Sequence, residues 1–231
     1  MPSEAPNIQI CADADAAALA LAEALLAALT AHDASEPLSL VVSGGGTPER
    51  LFRLLGGAWR ARIPWRKLAL YWVDERCVAP DDPQSNHGML LRAFGGALPA
   101  DLAAYQRMRG EDPPQQEAAR YAALLPPRLD WIWLGMGDDG HTASLFPGEA
   151  AGGGRCHGAR NPLSGQARIT LSEQEILRAE RVTFLVTGAS KSATLQTVLS
   201  DLQCDLPAAR IARARRVGWL LDADSAPPYL Q

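Results

Sequence analysis

Apolar runs alternate with helix-periodic segments along the chain, and this alternation predicts the architecture. Leu21, Leu25 and Leu29 recur every four residues within 13–31, which is the spacing of one buried helix face. Asp13 or Asp15 can cap the start of that helix. Runs that are apolar at nearly every position are typical of parallel strands buried on both faces. They predict strands at 38–42, 67–73, 131–134, 182–187 and 216–221.

Helical patterns lie between these strands. We expect Thr47 to cap a helix with Pro48 at its first position, and the Ser172-x-x-Glu175 capping box to begin a short helix. Further helices are predicted over 85–94, 117–125 and 190–202, and residues 148–166 are the most loop-like segment. Alternating strands and helices predict an α/β fold, with a Rossmann-like, mostly parallel sheet and helices on both faces. We expect residues 1–231 to form one domain.

Composition restricts the classes of partner. The chain is 47% hydrophobic and 21% charged, and its net charge of −4 gives no general attraction for nucleic acid or an anionic membrane. The arginines at 210, 213, 215 and 216 are expected to lie on a solvated helix face. No apolar run of about eighteen residues and no signal-peptide pattern stands out, so we expect no membrane span and a cytoplasmic location.

Metal and disulfide chemistry are not indicated. The four cysteines are scattered without a C-x-x-C pair, and no H-E-x-x-H motif occurs. His32 and His157 are expected to be solvated. His87 is intermediate between a solvated histidine and a functional one. We therefore predict no metal site.

The glycine-rich turn after the strand at 131–134 is the most informative segment. Gly135, Gly137 and Gly140 match a dinucleotide-binding fingerprint, but Asp138 and Asp139 place negative charge where a pyrophosphate would lie. The acidic residue expected about twenty positions later is also absent, so we predict no nicotinamide cofactor. His141 follows Asp139 by two residues and is a candidate general base.

Two other loops favour an anionic ligand. Three glycines can expose backbone N–H groups at the start of a helix, which suits a phosphate or carboxylate, in the loop Ser43-Gly44-Gly45-Gly46-Thr47. Lys191 opens another helix, where a cation is unfavourable unless an anion lies beside it. Arg168 is a candidate phosphate clamp, and an exposed surface role stays open for both side chains.

Charged residues also end the strand at 67–73. Asp74, Glu75 and Arg76 follow it directly, and Asn86 comes ten residues later. The carboxyl edge of a parallel sheet is where ligands bind, which favours a functional role over a self-contained salt bridge.

Together these segments resemble the 6-phosphogluconolactonases. The resemblance covers 43–48, 73–76 with 85–86, 135–147, 168–170 and 188–191, and the run Asp-Gly-His-Thr-Ala-Ser-Leu-Phe-Pro at 139–147 is its most specific part. It implies hydrolysis of a sugar-phosphate lactone without cofactor or metal, with His141 activating water. It also implies phosphate capture by the loop at 43–47 with Arg76, Arg168 and Lys191. Whether Asp139 or Asp74 orients the imidazole stays open.

The glucosamine-6-phosphate deaminases are similar in the glycine loop and the Asp-Gly-His turn. They carry Asn-Glu-Pro after the histidine, where this chain has Leu145-Phe146-Pro147, so the resemblance favours the lactonase. A second alternative is a non-catalytic sugar-phosphate sensor, although no basic helix-turn-helix precedes Leu38. The expected assembly is a monomer or a small homo-oligomer.

Overall fold

The computed structural model describes residues 7–33, 35–149, 152–215 and 217–230, which contain ten β-strands and seven α-helices. The strands are β1 (Asn7–Cys11), β2 (Leu38–Val42), β3 (Leu68–Trp72), β4 (Asp74–Arg76), β5 (Ala104–Gln106), β6 (Trp131–Leu134), β7 (Cys156–Arg160), β8 (Ala167–Leu171), β9 (Arg181–Val186) and β10 (Gly218–Asp222). The helices are α1 (Ala14–Ala31), α2 (Gly46–Gly56), α3 (Asn86–Ala93), α4 (Pro114–Leu124), α5 (Glu173–Arg178), α6 (Ser192–Ser200) and α7 (Pro207–Ala214).

Seven strands form one parallel sheet in the order β1-β10-β9-β6-β2-β3-β5. From β2 the chain moves outward to β3 and β5, whereas from β6 it moves outward in the opposite direction to β9 and β10. The adjacent strands β2 and β6 therefore form the switch point of the sheet. The loops that leave them diverge, and a crevice opens at their carboxyl ends.

The central strands lie inside the protein. Every residue of β2, β3 and β6 is buried, as their uninterrupted apolar runs predict. The predicted α/β fold with a mostly parallel sheet is confirmed. Six residues of α1 are also buried, and the side chain of Asp13 accepts the Ala16 N–H at 2.8 Å, which confirms one of the two predicted caps.

The expectation that no apolar run is long enough to cross a membrane was wrong for α1. This helix has 18 residues and is apolar enough by length and composition. In the structure it packs against α2 and β10 and contributes its buried leucines to the core. The buried apolar side chains of α1 therefore form part of the hydrophobic core.

A second, antiparallel sheet in the order β4-β8-β7 lies beside the first. The sequence did not predict it. Residues 74–76 are a strand of this sheet rather than the tail of β3, and β7 lies inside the predicted 148–166 loop. His157 belongs to β7 and its Nε2 is buried without a hydrogen-bond partner among the described residues, so the expected solvated position was wrong.

Several helix and strand ends also differ from the prediction. Thr47 is not a cap, because α2 begins at Gly46 after Gly45, whose φ of 112° favours glycine. A 3₁₀ turn at Ala189–Lys191 precedes α6, which starts at Ser192. The Ser172 hydroxyl caps α5, whereas Glu175 binds Arg155 instead of closing the box. The last strand starts at Gly218, and Arg216 lies outside the described residues.

Tyr121 of α4 completes the backbone pairing of β3 where β5 ends. Its fully buried hydroxyl accepts the Trp72 N–H at 2.7 Å and donates to the Trp72 carbonyl at 3.0 Å. Burial raises the pKa of this hydroxyl well above its ordinary value, so it stays protonated and can donate.

We predict that Tyr121→Phe lowers the free energy of unfolding by about 1–3 kcal/mol, because a buried N–H loses its acceptor. Chemical denaturation measures this change. Tyr71→Phe is the matched control, since the Tyr71 hydroxyl makes no hydrogen bond to the described residues. Equal stability of the two variants would contradict this account of β3.

Candidate active site

A cavity of about 450 Å³ opens at the carboxyl ends of β2, β6 and β9. Eleven of the twelve predicted site residues line it, the exception being Asp139. The lining members are Ser43, Gly44, Gly45, Gly46, Thr47, Asp74, Arg76, Asn86, His141, Arg168 and Lys191. The switch point therefore brings together segments that are up to 148 residues apart in sequence, from Ser43 to Lys191.

His141 is held by the turn that follows β6. Its Nδ1 lies 2.5 Å from Asp139 Oδ1, and its backbone N–H donates to the same carboxylate oxygen at 3.1 Å. The Gly137 N–H donates to the His141 carbonyl at 2.8 Å and closes the turn. Partial burial raises the pKa of Asp139, but the two hydrogen bonds from His141 to its carboxylate lower the pKa by more. The pKa of Asp139 therefore lies below its ordinary value. The imidazole therefore contacts the carboxylate of Asp139, whereas the Asp74 carboxylate accepts from the Ser144 hydroxyl.

An ionised Asp139 fixes the tautomer of the neutral ring. A carboxylate accepts, so Nδ1 carries the proton and Nε2 carries the lone pair. The Phe146 ring packs against the imidazole with 5.2 Å between ring centroids. His141 is therefore held by contacts with Asp139 and Phe146, and it lines the cavity.

Arg76 and Arg168 stand opposite each other on β4 and β8. Arg76 donates from Nη1 to the Gln84 carbonyl at 2.6 Å, whereas the Arg168 guanidinium has no hydrogen-bond partner among the described residues. Burial lowers the pKa of Arg168, with Asp74 opposing and Arg76 adding to this effect. A desolvated, unpartnered guanidinium beside a second arginine is suited to binding an anion.

The glycine loop and Lys191 form another wall of the cavity. The loop ends at the N-terminus of α2, where unpaired N–H groups carry partial positive charge. Thr47 and Thr187 join this loop to the end of β9 through their hydroxyls, which lie 2.8 Å apart. Lys191 Nζ lies in the cavity and pairs with Asp138 Oδ1 at 2.7 Å.

Asp74, Glu75 and Asn86 form a buried polar group beside the arginines. Asp74 accepts from the Ser144 hydroxyl at 2.7 Å, and Asn86 Nδ2 donates to the Asp74 carbonyl at 3.0 Å. Glu75 accepts the first N–H groups of α3, from Asn86 and His87, both at 2.8 Å. Burial raises the pKa of Glu75, although these N–H groups act against the shift. Asp74 and Asn86 are thereby fixed in the wall.

One predicted site residue, Ser43, has a structural role in the wall of the cavity. The buried Ser43 hydroxyl donates to the Trp133 carbonyl at 2.9 Å and so joins β2 to β6. Asn161 and Thr187 also line the cavity, although neither was predicted as a site residue from the sequence. Asn161 comes from the hairpin between β7 and β8, and no local motif marked it. Only the unpredicted second sheet brings that hairpin to the site.

Comparison with known proteins identifies the family of this chain. A model of the family described as glucosamine-6-phosphate isomerases/6-phosphogluconolactonase matches residues 12–219. The chain belongs to this family. A 6-phosphogluconolactonase of Aggregatibacter actinomycetemcomitans is 37% identical over 83% of this chain and 88% of its own length. One from Treponema pallidum is 38% identical over 80% of this chain and 82% of its own.

A solved structure shows the same relationship. The crystal structure of 6-phosphogluconolactonase from Leishmania guyanensis superposes with a TM-score of 0.83 at 29% identity, covering 96% of this chain and 98% of that one. The family description names two activities, so membership leaves a choice between them. The residues around His141 bear on that choice.

Gly44 allows this family member to place Asn86 against its glycine loop. A Cβ at Gly44 would lie 1.8 Å from Asn86 Oδ1, which has no hydrogen-bond partner among the described residues. We predict that Gly44→Ala lowers the free energy of unfolding by about 1–3 kcal/mol through this overlap. Denaturant titration of Gly44→Ala, Asn86→Ala and the double variant measures the coupling.

The double-mutant cycle separates this overlap from other effects of the substitution. In the Asn86→Ala background the alanine at position 44 has room, so its added cost should fall below about 0.5 kcal/mol. An equal cost in both backgrounds would show that the overlap with Asn86 is not the cause.

Proposed function

We propose that the protein is a 6-phosphogluconolactonase that hydrolyses 6-phospho-D-glucono-1,5-lactone to 6-phosphogluconate in the oxidative pentose phosphate pathway. The observation that carries this proposal is the Asp139–His141 pair, which opens onto the same cavity as Arg76, Arg168 and Lys191. A proton acceptor and an anion site in one cavity are what a phosphorylated ester requires. The names of the curated relatives support the same activity.

In this proposal the phosphate anchors the substrate. Arg168 and Lys191 bind its oxygens together with N–H groups of the loop from Gly44 to Thr47, and Arg76 adds positive charge beside Arg168. Asp74 and Asn86 are placed to contact sugar hydroxyls. Binding energy from the phosphate, which is remote from the reacting carbon, then holds the lactone carbonyl near His141.

His141 acts as general base and then as general acid. Nε2 takes a proton from water as the water oxygen bonds to the lactone carbonyl carbon, which gives a tetrahedral intermediate. When the carbon–oxygen bond of the ring breaks, the imidazolium returns the proton to the departing oxygen. The single product, 6-phosphogluconate, carries both the released hydroxyl and the new carboxylic acid group, which ionises. Asp139 stabilises the transient imidazolium across the 2.5 Å hydrogen bond.

Phe146 favours the lactonase over the deaminase. Phe146 occupies the position at which the deaminases have a glutamate, and its ring contacts the imidazole of His141. A phenyl ring can neither accept nor donate a proton. Among the described residues, the carboxylate hydrogen-bonded to His141 is that of Asp139. Ammonia release from glucosamine 6-phosphate would support the deaminase, and tight binding of the phosphorylated lactone without turnover would support a sensor.

The same proposal covers domain organisation, assembly, location and partners. Residues 1–231 act as one domain, either as a monomer or as a small homo-oligomer, in the cytoplasm. The activity requires no nucleic acid, membrane, cofactor or metal. The hydrophobic cluster supports one domain, because it includes residues of both sheets, such as Leu70 and Ile169.

We predict that His141→Ala lowers kcat by about 10²- to 10⁴-fold with a smaller change in KM, because it removes acid–base assistance but not phosphate binding. A coupled assay on freshly generated 6-phosphogluconolactone, corrected for spontaneous hydrolysis, measures both constants. His32→Ala is the control, since His32 Nε2 contacts the Glu36 carbonyl, away from the cavity. Wild-type kcat in His141→Ala would remove this residue from the base role.

We predict that Arg168→Ala raises KM for the phosphorylated lactone at least tenfold, because a charge-assisted contact to the phosphate is lost. The non-phosphorylated δ-gluconolactone should show little further loss relative to wild type. Steady-state kinetics on both lactones separates the two effects. Arg128→Ala, at the opposite edge of the sheet, is the control. A proportional loss on both lactones would contradict a phosphate contact.

A further inference from the structure

Asp138 is a charged residue that the proposed mechanism does not use. It lies next to Asp139 in the turn after β6, and its Oδ1 is 2.7 Å from Lys191 Nζ and 2.9 Å from the Ser190 hydroxyl. Its backbone carbonyl also accepts from the Thr194 hydroxyl at 2.5 Å. Asp138 thus joins the catalytic turn to the segment that carries Lys191.

The two members of this ion pair face different surroundings. The Lys191 side chain is 22% exposed and lines the cavity, whereas that of Asp138 is 67% exposed. The hydrogen bond from Lys191, assisted by that from Ser190, lowers the pKa of Asp138. The carboxylate is therefore charged at neutral pH. It pairs with Lys191, which lines the cavity, but Asp138 itself is not among the lining residues.

We propose that Asp138 is a specificity-determining counter-ion that weakens the hold of Lys191 on phosphorylated ligands. This inference rests on the proposed function, because it takes Lys191 as a phosphate partner. A phosphate dianion bound by Lys191 shares the ammonium with a fixed negative charge that repels it. The product 6-phosphogluconate bears one negative charge more than the lactone, so the same field disfavours the product more than the substrate.

The surrounding contacts make the charge separable from the shape. Asparagine at position 138 keeps an Oδ1 that can accept from Ser190 and Lys191, and the backbone contact with Thr194 does not involve the side chain. Glutamate keeps the charge with a longer stem. Comparing Asp138→Asn with Asp138→Glu therefore tests charge directly.

Calorimetric titration of the full chain with inorganic phosphate and with 6-phosphogluconate is the test. We expect Asp138→Asn to bind both ligands about three- to tenfold more tightly at low salt, the larger gain being for 6-phosphogluconate. Its product inhibition constant in the lactonase assay should fall by the same factor. The gain should shrink at high ionic strength because the charge is partly exposed. Asp138→Glu should stay within about twofold of wild type.

Two further variants show where the effect originates. Glu180→Gln removes the exposed carboxylate of another ion pair, with Arg128 at the opposite edge of the sheet, and should not change phosphate affinity. In a Lys191→Met background, Asp138→Asn should give less than half of its gain. Unchanged or weaker phosphate binding in Asp138→Asn, or a gain that survives in full without Lys191, would overturn the proposal.

Different results would refute the proposed function and the role of Asp138. Wild-type protein that does not hydrolyse the phosphorylated lactone would refute that activity, whatever the phosphate affinities are. Wild-type protein that hydrolyses it, with no tighter phosphate binding in Asp138→Asn, would refute only the role of Asp138.

Discussion

In the proposed mechanism, the hydrogen bond between Asp139 and Nδ1 of His141 is the contact on which the chemistry of the site depends. This hydrogen bond forms because both residues lie in one short turn, which the Gly137 N–H closes, and the Phe146 ring packs against the imidazole. The turn keeps its place because it leaves β6 at the switch point, where the adjacent loop from β2 turns away. A small local geometry is thus fixed by the topology of the whole sheet.

The charged side chains around the cavity differ in how far their charges are compensated by neighbouring groups. Arg168 is desolvated and has no hydrogen-bond partner among the described residues, which costs stability and favours binding of an anion. Glu75, also buried, is satisfied by the N-terminus of α3 and keeps Asn86 in place. Lys191 forms an ion pair with the exposed carboxylate of Asp138. The site therefore combines one strongly attractive cation with another that is partly neutralised.

The sequence predicted the parts of the fold that local pattern controls. The uninterrupted apolar run of β6 and the leucine spacing of α1 each determine one element, and the glycine-rich turns determined where ligands could bind. It failed for the β4-β8-β7 sheet, because β7 and β8 lack an uninterrupted apolar run and the pairing of β4 with β8 joins residues about 90 positions apart, such as Arg76 and Arg168. Asn161 was missed for this reason. The choice between Asp74 and Asp139 required the side-chain contacts themselves.

The most direct test of this account is the tautomer of His141, read from ¹⁵N chemical shifts of the histidine rings, with His141→Ala assigning the signal. The account predicts a proton on Nδ1 and a free lone pair on Nε2 in the neutral ring, and loss of that preference in Asp139→Ala. A neutral ring protonated at Nε2 in the wild-type protein would contradict it, because no base would then face the cavity.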